Sequence, residues 1–196
     1  MKIAFALFAY LFGTIPTGYI IFRITEKKDI RKYGSFNTGA TNVLRLKGWK
    51  YALPVLIIDV LKGAIPVYFA LALFPDKRFT LICAFLVVCG HCFPFYLRFK
   101  GGKGIATSLG VFAVLAFKPF LLTLAVFFLV IAITRFVSLG SILSVFSFPF
   151  FVYLIQRETE IIYASILIFL LVLLRHWSNI PRLFQGKERK IGEKIQ

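Results

Sequence analysis

The sequence predicts an all-α integral membrane protein of seven transmembrane helices, with the N-terminus outside, the C-terminus cytoplasmic and three motif-bearing cytoplasmic segments. Three observations predict it. Apolar types make up 59% of the 196 residues and the mean hydropathy is +0.84, against about 45–50% apolar in soluble domains. The apolar residues gather into runs near the roughly 20 residues that cross a bilayer core of about 30 Å. The formal charge is +16, from 24 Lys and Arg against 8 Asp and Glu, with the cations between the apolar runs. This pattern excludes disorder, a collagen-like fibre and a disulfide scaffold. It also excludes a basic nucleic-acid binder, whose cations would not alternate with runs of membrane length.

The first run, 3–22, has the look of a signal peptide, but Pro16 lies inside it and no small-x-small cleavage site follows, so it reads as a retained span. The second, 51–73, contains Asp59 and Lys62, three residues apart and therefore on one helical face. Charges at such depth face a bundle interior or a wet cavity. They are expected to pair with each other as a structural element or to line a polar pocket. The third run, 79–97, holds all three cysteines, Cys83, Cys89 and Cys92. Cys89-Gly90-His91-Cys92 reads C-x-x-C, but there is no second pair at zinc spacing and no soluble βαβ setting. The cysteines therefore read as apolar packing residues, and neither a metal nor a cofactor is expected.

The runs 105–117 and 119–134 are short and form either two spans or one helix interrupted at Lys118-Pro119. Runs 137–156 and 161–174 complete the set. Lys and Arg accumulate on the cytoplasmic side, and that decides the count. Seven spans place 18 of the 24 on one side and five on the other, with Lys62 inside a span; six spans give 12 against 10. Pro119 then sits early in the fifth helix, where its missing N–H costs little. One polytopic domain over 1–196 accounts for the chain, in which no internal repeat is visible.

The polar residues converge on the basic side in three segments. The first runs from Gly34-Ser35-Phe36-Asn37 through Thr41-Asn42 to Arg45. Its glycines permit close backbone approach, and the Arg45 fork suits phosphate. The second is Gly90-His91 with Phe93-Pro94, then Lys100-Gly101-Gly102-Lys103-Gly104 just before the fourth span. Amides at a helix start beside a lysine make a phosphate cradle, yet the G-x-x-x-x-G-K-[ST] spacing of a nucleotide-hydrolysing loop is missing. The third is Arg175-His176, Asn179, Arg182, Gly186 and Glu188. Ser138 and Ser141, at the cytoplasmic start of the sixth span, are placed to line the same pocket. The tail cations Lys187, Arg189, Lys190 and Lys194 suit anionic headgroups. A cationic pocket on a lipid-facing scaffold implies a phosphorylated, water-soluble partner and an apolar one arriving through the bilayer. Acyl or lipid transfer onto a phosphorylated alcohol meets both requirements. The alternative is a membrane transporter for organic phosphate, which Asp59 and Lys62 support and the one-sided motifs do not.

At these residues the chain resembles the bacterial membrane-embedded glycerol-3-phosphate acyltransferases that use acyl phosphate, over nearly its whole length and with all three motifs in order. The family's first motif looks like Gly-Ser-Gly-Asn-x-Gly-Ala-Thr-Asn-Val-x-Arg; here Phe36 stands in place of the third-position Gly. The resemblance implies acyl transfer from acyl phosphate to the 1-hydroxyl of sn-glycerol 3-phosphate, giving lysophosphatidic acid and inorganic phosphate. That is the first acylation of phospholipid biosynthesis, in the bacterial inner membrane with the site facing the cytoplasm. An activated donor requires no acyl-enzyme, so the residues' tasks are positioning and charge stabilisation. Arg45 and Lys103 are expected to hold phosphates, with the amides of Gly101 to Gly104 around the donor phosphate. Ser35, Asn37, Asn42 and Asn179 orient the acceptor and the reacting carbonyl. His176 or a substrate phosphate takes the hydroxyl proton. Gly34, Thr41, Ser141 and Arg182 complete the expected binding set. Neither His91 nor His176 has Asp five residues on, which departs from the His-x-x-x-x-Asp dyad of soluble and single-anchor glycerolipid acyltransferases. The partners implied are the two substrates, membrane lipids and the soluble enzyme that makes acyl phosphate, with no nucleic acid.

Overall fold

The computed structural model describes residues 1–193, which form ten α-helices and two short 3₁₀ turns, with no strand among the described residues. The expected span 3–22 is broken. α1 (Lys2–Gly13) and α2 (Thr17–Glu26) meet at a 40° bend. Pro16 has no N–H to donate, and its ring excludes a preceding helical turn. The helix at Pro16 stops and restarts, and the carbonyl of Ile15 accepts the Lys62 ammonium at 2.7 Å. Thr17 in turn donates to Asp59 Oδ1 at 3.0 Å. The short helix α3 (Ala40–Lys47) precedes α4 (Trp49–Leu73), which carries both partners of that ion pair.

α5 (Lys77–Cys92) starts on an Asp76 cap whose side chain accepts from the amides of Arg78 and Phe79. α6 (Ile105–Leu115) and α7 (Phe117–Thr134) are separate, with Pro119 in the first turn of α7. α6 has 11 residues, about 16 Å of helix, and lies buried against α4 instead of facing lipid. A Cβ at Gly63 would meet the Thr107 carbonyl and one at Gly110 the Val60 carbonyl, so the two backbones touch. α8 (Val137–Ile155), α9 (Thr159–Arg175) and the single turn and a half of α10 (Ile180–Phe184) follow.

Among the described residues, four segments are long and apolar enough to cross a membrane: α4, the α5 segment extended to Leu97, α7 and α8. The bent pair α1–α2 makes a fifth if taken as one span. α5, α6, α8 and α9 share the main core, built from Val87, Val88, Phe112, Phe148, Ile168 and Val172. There Phe112 and Phe148 stack with ring centroids 3.7 Å apart. Apolar side chains such as Ile57, Leu61, Phe128, Ile133 and Leu167 face outward, the reverse of a soluble protein and the surface that lipid requires.

The three motif segments gather at one end of this bundle. Arg31 bonds the Leu97 carbonyl, Lys103 bonds Asn179, and Arg189 bonds the Gly34 carbonyl. At the other end Lys2 pairs with Asp76, Lys77 with Glu158 and Arg78 with Glu160.

Candidate active site

The first motif is organised around Asn42, which is 1% exposed. Its Oδ1 accepts the Ser35 amide at 2.8 Å, and its Nδ2 donates to the carbonyls of Asn37 and Tyr33. The Asn37 side chain accepts the Gly39 amide at 2.8 Å. Gly34 and Phe36 both have positive φ, 62° and 57°. Phe36, where the resembled motif carries Gly, thus occupies a left-handed conformation that costs an L residue about 1–2 kcal/mol.

The second motif is a tight return onto the end of α5. Gly101 donates to the Cys92 carbonyl at 3.2 Å and Gly102 to the His91 carbonyl at 3.0 Å. These two amides, expected around a phosphate, instead satisfy the last carbonyls of the helix, which would otherwise be orphaned. A Cβ at Gly102 would collide with the His91 imidazole. The amides of Lys103, Gly104 and the first turn of α6 have no backbone acceptor among the described residues, a helix start suited to an anion. Gly104, at φ 86°, is the N-cap. Arg175 braces the return from outside. Its Nε and Nη2 donate to the carbonyls of Gly102 and Gly101, each at 3.0 Å, and its guanidinium lies 5.2 Å above the Phe93 ring.

The third motif supplies a polar chain. Lys103 Nζ donates to Asn179 Oδ1 at 2.6 Å, and Asn179 Nδ2 donates to Glu188 Oε1 at 2.7 Å. Ser138 also donates to Oε1 of Glu188, at 3.0 Å, and Arg182 Nε to Oε2 at 2.9 Å. Burial raises the Glu188 carboxyl, but the bonds from Arg182, Asn179 and Ser138 hold it below its usual range. Lys103 is pushed down to about 8, chiefly by burial, with Arg182 and Arg45 adding to this and Glu188 opposing it. Burial lowers Arg45 as well. His176 is 1% exposed, and burial with nearby Lys103 takes it down to about 3, so the imidazole is neutral. Its Nδ1 lies 2.8 Å from the Val172 carbonyl. A carbonyl only accepts, so Nδ1 carries the hydrogen and Nε2 is left as an acceptor.

These elements wall a cavity of about 440 Å³. Of the sequence-predicted residues, Ser35, Asn37, Thr41, Asn42 and Arg45 line it from the first motif, Lys103 from the second, and Ser141, His176 and Asn179 from the far side. Five do not. Gly34 accepts from Arg189, Gly101 and Gly102 back the loop, Gly104 caps α6, and Arg182 acts through Glu188. Below the polar mouth the wall turns apolar between α4 and α7, through Leu56, Leu109, Leu124, Phe127 and Ile131.

Sequence reasoning gave no catalytic or binding role to Arg175, Glu188 or His91. All three stand in the motifs it quoted, and the signal that marks them is their polarity beside glycine or at a helix end. Asp59 and His91 form the cavity floor. Asp59 lies 2.7 Å from Lys62, with both side chains 2% exposed. The charges that favoured a transporter thus neutralise each other and tie α4 to the α1–α2 break. The tail crosses the mouth, where Arg45 Nη2 reaches the Arg189 carbonyl at 3.4 Å and Ile191 donates to the Arg135 carbonyl at 2.8 Å. Lys194 lies outside the described residues.

A model of the glycerol-3-phosphate acyltransferase family matches residues 3–186. The glycerol-3-phosphate acyltransferases of Endomicrobium trichonymphae and Thermoanaerobacter pseudethanolicus are each 44% identical over 191 residues, 97% of this chain and 96% of theirs. The fold is similar to the crystal structure of PlsY (YgiH), an integral membrane glycerol 3-phosphate acyltransferase, in its glycerol 3-phosphate form. The TM-score is 0.93 at 36% identity, covering 97% of this chain and 96% of that one. The lysophosphatidic acid form of that enzyme matches with a TM-score of 0.90 at 35% identity.

Proposed function

The chain belongs to the glycerol-3-phosphate acyltransferase family, and from that premise we propose that its acyl donor is acyl phosphate, its acceptor the 1-hydroxyl of sn-glycerol 3-phosphate, and its products lysophosphatidic acid and inorganic phosphate. One observation carries this reading: the cavity has a cationic head, with Arg45 and Lys103 unpaired to any carboxylate among the described residues, and an apolar continuation toward lipid. Such a cavity suits one molecule with a long acyl chain and an anionic end, together with a small phosphorylated alcohol.

In the step proposed, the glycerol oxygen attacks the acyl carbonyl carbon. The bond from that carbon to the phosphate oxygen breaks, and phosphate leaves with the electron pair. Arg45 and Lys103 hold the phosphates and offset the charge that develops. Ser35 and Asn179 orient the acceptor, and His176 accepts the hydroxyl hydrogen bond at Nε2. With His176 down at about 3, a phosphate oxygen, whose second pKa is near 6, is the better final proton acceptor at neutral pH. No cysteine lines the cavity, and an acyl phosphate needs no acyl-enzyme.

The excess of Lys and Arg on the motif side supports seven spans with the N-terminus outside and the C-terminus and active site facing the cytoplasm of the bacterial inner membrane. The soluble enzyme that makes acyl phosphate is then the supplier of donor, and the whole chain acts as one polytopic domain. The test uses purified protein, labelled glycerol 3-phosphate and palmitoyl phosphate, with acyl-CoA and acyl-carrier protein as parallel donors. Labelled lysophosphatidic acid from palmitoyl phosphate alone is expected. Equal product from a thioester donor would overturn the donor assignment.

A further inference from the structure

A second cavity, of about 620 Å³, opens beside the reaction cavity and shares Asn37 with it. Its charged walls are Arg31, Arg98, Lys100 and Arg175 against a single carboxylate, Asp29. That carboxylate is already committed, since it grips Arg31 at 2.8 Å through Nη2 and at 3.0 Å through Nε. Arg98 and Lys100 have no carboxylate partner among the described residues. The loop that presents them is held in a costly conformation, Arg98 and Phe99 having φ of 56° and 59°. Arg98 and Lys100, with Arg175 beside them, bring uncompensated positive charge to one concavity, and the planar guanidinium fork of Arg98 suits a phosphate group.

We propose that this cavity is a second phosphate-binding site, separate from the reaction cavity, taking either free phosphate or the phosphate of a lipid headgroup. Arg175 links it to the first site. The same guanidinium that faces the second cavity holds the carbonyls of Gly101 and Gly102, immediately before Lys103. A phosphate seated there bears on the loop that presents Lys103 without entering the chemistry. The proposal does not rest on the acyl-phosphate reading.

Equilibrium dialysis of the purified protein against labelled inorganic phosphate tests it without any turnover. The wild type is expected to bind one phosphate that depends on Arg98 and Lys100, in addition to the phosphate held in the reaction cavity by Arg45 and Lys103. Arg98→Gln with Lys100→Gln should weaken that additional class at least tenfold and spare the rest, while Arg45→Ala with Lys103→Ala removes the reaction-cavity phosphate and spares the additional one. Arg98→Lys with Lys100→Arg keeps the charges and should retain both, which separates lost binding from lost folding. Nanodiscs distinguish the sources. If the Arg98-dependent phosphate seen in detergent persists in both phosphatidylcholine and phosphatidylglycerol discs, the ligand is free phosphate; if either lipid displaces it, a headgroup occupies the site. A phosphate count for the lipid-free, detergent-solubilised protein that Arg98→Gln with Lys100→Gln leaves unchanged overturns the proposal. A chain inactive with every acyl donor would still give these counts, so this test and that of the donor fail independently.

Discussion

The two ends of the bundle use charge in opposite ways. Away from the motifs, Lys2, Lys77 and Arg78 each face a carboxylate on a neighbouring helix, at the exposed surface. At the motif end the reaction cavity has two carboxylates on its walls, and both are committed. Asp59 is held by Lys62 and Thr17, and Glu188 by Arg182, Asn179 and Ser138. Arg45 and Lys103 are left over, half-buried and without a counter-ion. Paired charges hold helices in place, whereas desolvated cations without a counter-ion are electrostatically unfinished until an anion arrives. The difference separates the residues that build this protein from those that act in it.

The comparison breaks first at Asp59–Lys62. Removing one member leaves a lone charge inside the bundle, so Asp59→Asn or Lys62→Met should each cost about 3–5 kcal/mol of stability. Unfolding of the detergent-solubilised protein measures this. The combined Asp59→Leu/Lys62→Met variant should recover most of the loss, and a combined variant worse than either single change would show that the pair does more than hold helices. Next in size is Arg45→Ala, which should lower kcat/KM by about 1.5–3 kcal/mol, roughly 10- to 150-fold, while the unfolding temperature stays put. Wild-type kcat/KM in that variant would remove Arg45 from the site.

The pH profile sharpens the same contrast. Lys103 holds phosphate only as a cation, and its pKa is down at about 8. kcat/KM should therefore fall above pH 8, approaching tenfold per unit as the ammonium is lost. His176, at about 3, stays neutral throughout and contributes no limb between pH 5 and 9. A profile flat to pH 10 would contradict the assignment of Lys103. The smallest effect is expected at Phe36. Phe36→Gly relieves a left-handed residue and should stabilise by up to about 1 kcal/mol, the relief being partly offset by unfolded-chain entropy. A destabilised variant would show that the exposed ring makes a contact of its own.

Much of this was legible in the sequence. Apolar runs mark α4, α7 and α8 within a few residues, because uninterrupted apolar stretches have few alternatives in lipid. The cations and amides of the motifs mark the cavity's polar mouth. Three things were not legible. Pro16 signals a break, but the stitching of that break by Lys62 and Thr17 joins residues over 40 positions apart. The Gly101 and Gly102 amides read as a phosphate cradle because glycine permits close approach to any partner. Only the fold reveals that the partner is the end of α5, and that Arg175 clamps the other side. The spacing of the motifs likewise says nothing about how far apart they are in space. The buried chain from Lys103 through Asn179 to Glu188 closes over 85 residues of sequence.

The most direct test of the central claim is one preparation of Lys103→Met assayed for both acyl transfer and unfolding. If desolvated, unpaired cations carry the function, acyl transfer from palmitoyl phosphate falls at least tenfold and the unfolding temperature is unchanged or raised, since a buried charge has been removed. A variant that keeps its activity, or one that loses activity only because it no longer folds, would place Lys103 among the structural charges and contradict the account.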